Sequence, residues 1–429
     1  TWTVNGKKVR PKIVVSTATI KRAGDQVNSL FARRLEVFPP RGIDVEDNFF
    51  ARQTPVTEDN PGLRYVGICS VGRRLKVALI RVYVASLCAG QQLYEKYGKL
   101  ADPYMTLIGY FSSIRELGGM RRLLDDDVRS RIQQMDKRGL AKRSFFGGYD
   151  ELTSRKSAGD IPRLLDWMEA EFDPAKAAQR EEEKKQGVKR TTKAPADAII
   201  ATNMISVGVD VPRLGLMIVA GQPKQTAEYV QATARVGRRF PGLVFTVHNW
   251  VRPRDLSHFE TFRHFHATFH AHVEAPSVTP FAPGARERAL AGVLTSLVRL
   301  DGFEFNAESG AGEIRSRNEA IQNGVQALRE RAARVVSGSV AAAVEKETNG
   351  LVDFWIGEAI RPNRTLVYKD KRDFTKPLLK QPEDGPWDRF TCLNSLREVE
   401  QSSNLVLMDL PDVVPAIVEL DMDVEEELP

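Results

Sequence analysis

Cysteine is scarce here: Cys69, Cys88 and Cys392 are the three in 429 residues, and they lie far apart. That excludes a disulfide scaffold and any CxxC metal knuckle. No uncharged apolar stretch comes near the roughly 18 residues a membrane helix needs. The first residues lack both the basic-then-apolar order of a secretion signal and an initiator Met. A GxSxG elbow is missing, which leaves nucleophilic hydrolysis without its motif. So is a GxxxxGK[ST] loop, and Gly6-Lys7-Lys8 does not supply one. The Asp-Glu pair, Asp150-Glu151, follows Gly147-Gly148-Tyr149 rather than an apolar strand. With 42% hydrophobic and 28% charged residues, the chain can pack roughly three domains of about 150 residues each, and wholesale disorder is excluded. A soluble, intracellular protein is the expectation.

Net charge is +6, unevenly spread. All 62 Lys and Arg residues precede Glu398, whereas ten acids, from Glu398 to Glu427, follow Arg397. So basic a body suits either a polyanion partner or a solvated surface balanced by an acidic tail.

From Leu63 onward strand-like and helix-like runs alternate. Leu63 to Cys69, Tyr104 to Phe111, Asp197 to Thr202, Leu214 to Val219 and Leu243 to His248 read as strands. Leu75 to Tyr97, Ile161 to Phe172 and Gln225 to Val236 read as helices. That order predicts an α/β fold, a parallel sheet with helices on both faces. Lys12 to Ser16 reads as a further buried strand. Residues 36–62 carry four prolines and little periodicity, as a connector would. The Lys/Glu-rich stretch at about 174–196 reads as a mobile surface insertion. Residues 251–360 read as a mostly helical extension, and 361–429 as a mixed segment with an acidic tail.

The chemistry concentrates between residues 197 and 239. Ala201-Thr202-Asn203 ends a strand, and Gly208-Val209-Asp210-Val211-Pro212 follows. Ligands of open parallel sheets bind at such carboxyl ends. There a Thr hydroxyl and turn N–H groups can hold a phosphate, and Asp210 can accept from a ribose hydroxyl. An ordinary strand-to-turn with a capping Thr fits the same residues. Gln231, Arg235 and Arg238 are spaced i, i+4, i+7 and would share one helix face ended by Gly237. That face is a phosphate clamp or an exposed basic helix end. Arg252, Arg254 and His258 follow as candidate phosphate contacts.

On these residues the chain resembles superfamily 2 helicases. Ala201 to Pro212 looks like motif V, Gln231 to Arg238 like motif VI, Thr17-Ala18-Thr19 like motif III and Leu107 to Ser112 like motif IV. The resemblance implies a RecA-like fold, with residues 1–35 ending a first domain and 63–250 forming the second. It implies that Arg235 and Arg238 reach ATP phosphates with Gln231 beside them, and that Gly208 and Asp210 contact the nucleotide. It implies that Thr202, Ser112 and Arg155 touch the nucleic acid, and that Thr17 and Thr19 couple the two sites. Ala234 and Asn203 depart from the family's more frequent Gly and Asp. Asn203 to Arg239, with Arg252 to Asp255 and Asn394 to Glu400, further resembles the helicase subunit of DISARM anti-phage systems. That likeness implies DNA as target, a companion DISARM subunit as partner and a bacterial cytoplasmic setting. ATP and Mg²⁺ would be held mainly by a first domain whose Walker residues these 429 positions lack, so a C-terminal part of a larger motor is expected. A non-catalytic nucleic-acid-binding scaffold and an RNA helicase are the alternatives.

Six histidines lie between His248 and His272. His266, His270 and Glu274 could ligate zinc. The stripe Phe259, Phe262, Phe265 and Phe269 instead predicts packing, and no metal site is assigned.

Overall fold

The computed structural model describes residues 2–4, 6–17, 20–40, 43–44, 49–50, 54–59, 61–157, 159–186, 194–206, 209–275, 278–362, 364–369, 374–381, 384 and 386–393. The chain divides into two compact units, Thr1–Pro280 and Phe281–Pro429.

In the first unit six strands form one parallel sheet. They are β1 (Leu63–Cys69), β2 (Leu107–Phe111), β3 (Tyr149–Leu152), β4 (Ala198–Ala201), β5 (Leu216–Ala220) and β6 (Gly242–His248), in the order β1-β6-β5-β2-β4-β3. The central strands are apolar throughout because both faces are covered. Leu107, Phe111, Ile200 and Ile218 enter one core, whereas Ile108, Tyr110, Ile199 and Met217 enter the other. Side chains alternate across a strand, so neighbours feed opposite layers. The fold is thus the expected α/β one, a parallel sheet with helices on both faces.

Helix α1 (Leu75–Tyr97) covers the first core through Leu79, Ile80, Tyr83, Val84 and Leu87, the i, i+3, i+4 repeat of one helical face. Gly109 on β2 permits this contact, since a Cβ there would lie 1.9 Å from the Tyr83 hydroxyl. Helix α2 (Ile114–Leu123) opens on Ser113, whose Oγ accepts the Glu116 N–H at 3.2 Å. Helix α3 (Asp160–Met168) buries Leu164 and Met168.

Two buried ion pairs pin the amino ends of the strands. The Arg213 guanidinium donates to both carboxylate oxygens of Asp102 (2.9 and 2.6 Å), and also to Thr106 Oγ1 and the Met168 carbonyl. Arg143 donates to Asp197 at 2.7 Å, and the other Asp197 oxygen accepts three backbone N–H groups, those of Phe146, Gly147 and Gly148.

Several expectations need correction. Lys12 to Ser16 is not a strand, and Val14 and Val15 are exposed. A β-branched run needs a neighbouring strand to complete its ladder, and the six-stranded sheet does not take it in. Residues 174–185 are not irregular but helical: α4 (Pro174–Lys185) is fastened by Arg180, which is buried with its guanidinium 4.7 Å from the Phe146 ring centre. Asp150-Glu151 does sit in a strand, the edge strand β3, where one neighbour suffices and polar residues are tolerated. The first unit also runs to Pro280 rather than ending near residue 250. Helices α6 (Pro253–Glu260) and α7 (Phe262–Thr268) lie within it, Phe262 packing so closely on β1 that only a glycine fits at position 67.

The second unit packs α8 (Pro283–Asp301), α9 (Glu319–Val335) and α10 (Gly338–Ala359) around Leu294, Val298, Ile321, Val344 and Trp355. A short parallel pair, β7 (Thr365–Val367) and β8 (Thr375–Pro377), completes it.

Candidate nucleotide and nucleic-acid site

Ser112, Arg155 and Thr202 follow the carboxyl ends of strands, whereas the Gly237 turn that carries Arg238 abuts the amino ends of β1, β5 and β6. β4 ends at Ala201, and the buried Thr202 turns the chain into the single turn Asn203–Ser206, its carbonyl accepting the Ile205 N–H at 3.1 Å. Gly208 lies outside the described residues, as does Thr19. Thr17 is described and exposed.

Helix α5 (Thr226–Thr233) carries the second block. It stops five residues before Arg238, so the single helical face expected for Gln231, Arg235 and Arg238 is not how they meet. Beyond Thr233 the bonds tighten to three-residue spacing, Arg235 N to Ala232 O and Val236 N to Thr233 O. Gly237 then turns left-handed, with φ of +75°. Its N–H bonds to Leu214 O at 2.8 Å, which ties the turn to the entrance of β5.

That turn brings the two blocks together. Arg235 donates to Val209 O at 2.9 Å and to Ser206 O, strapping the first block. Its Nε is buried and, among the described residues, unpartnered. Burial, with Arg238 nearby, lowers the Arg235 pKa, against which Asp210 acts. Arg238 is ion-paired with Asp210, whose carboxylate remains 65% exposed, and bonds Ala234 O at 3.2 Å. Gln231 is half-buried on the last turn of α5.

Side chains that the sequence did not assign to this site hold α5 in place. Glu274 accepts from the Thr226 N–H (2.8 Å) and hydroxyl (3.0 Å), capping the helix start. Tyr110 bonds Glu228, Tyr65 bonds Thr233 at 2.9 Å, and Tyr229 bonds both Thr246 (2.8 Å) and His266 (2.9 Å). Their signal in the sequence was a buried aromatic carrying a hydroxyl that must find a partner.

Because β2, β4 and β3 are adjacent, Ser112, Thr202 and Arg155 lie along one stretch of the carboxyl edge, with Ser112 and Arg155 exposed. Arg252 is half-exposed and ion-paired with Glu116 at 2.7 Å. Arg254 is committed to the turn beneath it, donating to the carbonyls of Gln222, Pro223 and Lys224 at 2.7 to 3.0 Å. Glu274 and His266 have the partners already given, and the second His266 nitrogen faces Phe262 O at 2.8 Å. Their polar atoms are engaged in packing rather than converging on one point.

Two predictions arise from this geometry. A Cβ at Gly237 would sit 2.8 Å from the Gly242 Cα, on a left-handed backbone. Gly237→Ala is therefore expected to cost more than about 1 kcal/mol and displace the arginine turn, read by denaturant unfolding. His248, at the end of β6, is 2% exposed, and neither ring nitrogen has a hydrogen-bond partner among the described residues. Burial, helped by His258 and His266, pushes its pKa down to about 4. An unfolded chain takes up that proton near pH 6.5, so stability present above 6.5 is lost as pH falls toward 4. The loss reaches at most about 3 kcal/mol. Urea unfolding of His248→Phe should show a flatter pH dependence over that window.

The family model for the helicase conserved C-terminal domain matches residues 152–240, from the end of β3 past Gly237. The DISARM protein DrmA of Bacillus paralicheniformis is 37% identical over 412 residues, which cover 94% of this chain and 35% of that protein. The chain thus spans about a third of that curated relative's length. Among solved structures, the DUF1998 helicase MrfA bound to DNA and AMPPNP aligns at 17% identity and a TM-score of 0.30, over 50% of this chain and 24% of that one. Mycobacterium smegmatis Lhr bound to ssDNA and AMP-PNP aligns at 12% and 0.33, over 67% and 29%. Thr202, Asp210, Arg235 and Arg238 thus lie inside the stretch that matches the helicase conserved C-terminal domain, in a chain similar over most of its length to the DISARM protein DrmA.

Proposed function

We propose that this chain provides the second half of an ATP-dependent DNA helicase or translocase of a DISARM-like bacterial defence system, acting in the cytoplasm with a companion subunit. The observation that carries the reading is the clustering of Arg235, Arg238 and Asp210 around the segment that joins β4 to β5, with cationic donors beside an exposed carboxylate. These residues fit a nucleotide: the buried Arg235 Nε is a donor with no partner among the described residues, and Asp210 can accept from a ribose hydroxyl once Arg238 is drawn away. A triphosphate with its Mg²⁺ would be gripped by a facing lobe, and ATP would supply the free energy of its β–γ bond cleavage. Arg238 acts as the finger that meets negative charge, Arg235 holds the loop that presents Asp210, and Gln231 lines the same cleft. Gly208, two residues before Asp210 in the sequence, contacts the nucleotide with it in this reading.

Thr202, Ser112 and Arg155 take the strand's phosphates along the carboxyl edge, extended by Arg252, while Arg254 positions the turn beside it. Thr17 and Thr19 couple strand and nucleotide. ATP turnover by the protein together with its nucleotide-gripping lobe tests this. Turnover stimulated by DNA more than by RNA is expected. Turnover indifferent to DNA would overturn the translocase reading, and preference for RNA would replace DNA as the track.

A further inference from the structure

The second unit holds a cavity of about 660 Å³ beside the carboxyl end of α10, a size typical of ligand sites. Glu358 forms part of its wall and is 4% exposed. This one carboxylate gathers three cations: Arg361 at 3.0 Å, Arg364 at 3.2 Å, and Lys376. The carboxyl end of α10 contributes a further half negative charge or so. Among the described residues, roughly half of the three positive charges are therefore uncompensated. Elsewhere on the wall, Lys380 is matched by Asp388 at 3.1 Å, and the Asp384 carboxylate accepts the Gln381 N–H at 3.0 Å. The Lys369 ammonium has no ion-pair partner among the described residues, and its charge offsets that of Asp384.

Like charges held this close to a shielded carboxylate repel one another, and an anion in the cavity relieves that repulsion. Apart from Thr375 and Gln381, the remaining wall residues are apolar. Phe354, half-buried, stacks on Phe390 with ring centres 5.7 Å apart and planes 23° from parallel. Cations beside an accessible aromatic face are the two parts that hold a nucleotide unit, one taking the phosphate and the other the base.

We infer that this cavity binds a nucleotide unit, its phosphate against Arg364, Lys376 and Lys369 and its base against Phe354, offered by a nucleic-acid strand or as a free nucleotide. The inference rests on the second unit alone and stands whether or not Arg238 faces a triphosphate.

Photocrosslinking of the full chain to a short oligodeoxynucleotide carrying bromouracil, mapped by mass spectrometry, tests it. The expected result is a crosslink on the α10 peptide that contains Phe354. Arg364→Gln with Lys376→Gln should cut its yield about tenfold while leaving crosslinks in residues 63–250 unchanged. Glu358→Gln should keep or raise the yield, because it removes the competing carboxylate. An excess of deoxyuridine monophosphate that suppresses the crosslink identifies a free nucleotide as the occupant. Suppression by unlabelled oligonucleotide alone identifies a strand. Lys369→Gln, which leaves the Glu358 cluster intact, carries the test if the double variant does not fold. A wild-type chain with no crosslink at α10 would overturn the inference, as would a yield indifferent to the lost cations or a folded Glu358→Gln that loses it.

Discussion

Arg238→Ala is expected to lower ATP turnover by about 10³ to 10⁵-fold, the range an arginine finger contributes. At about 1.36 kcal/mol per decade, that is roughly 4 to 7 kcal/mol of barrier. The effect should fall on turnover and not on folding, because the guanidinium is partly exposed and its Asp210 partner is 65% exposed. An exposed pair of this kind contributes about 1 kcal/mol or less to stability. DNA affinity should be nearly unchanged, since Arg238 lies apart from the edge formed by Ser112, Thr202 and Arg155. Steady-state turnover beside a binding titration separates the two. Arg235 differs: its guanidinium straps Ser206 and Val209, so Arg235→Ala should also loosen the loop and show reduced protection of residues 203–210 in hydrogen exchange.

Arg213→Met carries the second large effect, on stability. The guanidinium and Asp102 are 8% and 6% exposed, and removing one partner strands a buried carboxylate. Breaking such a pair costs about 3 to 5 kcal/mol. In a unit of this size that lowers Tm by roughly 10 °C. Adding Asp102→Leu should restore part of the loss, because the stranded charge and not the missing attraction dominates it. A single variant melting within about 2 °C of the parent would contradict the assignment.

What the sequence disclosed and what it hid follow one physical division. The sequence located Leu63–Cys69 and Leu75–Tyr97 to the residue, because each is long and the helix buries one repeating face. Strand β3 was hidden because an edge strand can be polar, and Tyr149–Leu152 has little apolar pattern to see. Lys12 to Ser16 misled in the opposite sense: three β-branched residues look like a strand, yet pairing partners decide. Spacing arithmetic misjudged how Gln231, Arg235 and Arg238 are placed. It presumes an unbroken helix, whereas Gly237 and the tightened turn before it bring Arg238 to Asp210. Nothing local could reveal the union of Asp102 and Arg213, 111 residues apart, or of Thr226 with Glu274, 48 apart. Those links are made by the fold, and the site depends on both.

The most direct measurement is a structure of the protein joined to its nucleotide-gripping lobe, with a non-hydrolysable ATP analogue and a DNA strand bound. The account predicts that Arg238 leaves Asp210 and that its guanidinium stands within about 3 Å of the terminal phosphate oxygens. The ribose hydroxyls should then occupy the carboxylate it released. A bound triphosphate with Arg238 still clasping Asp210, and no phosphate oxygen near either guanidinium, would contradict it.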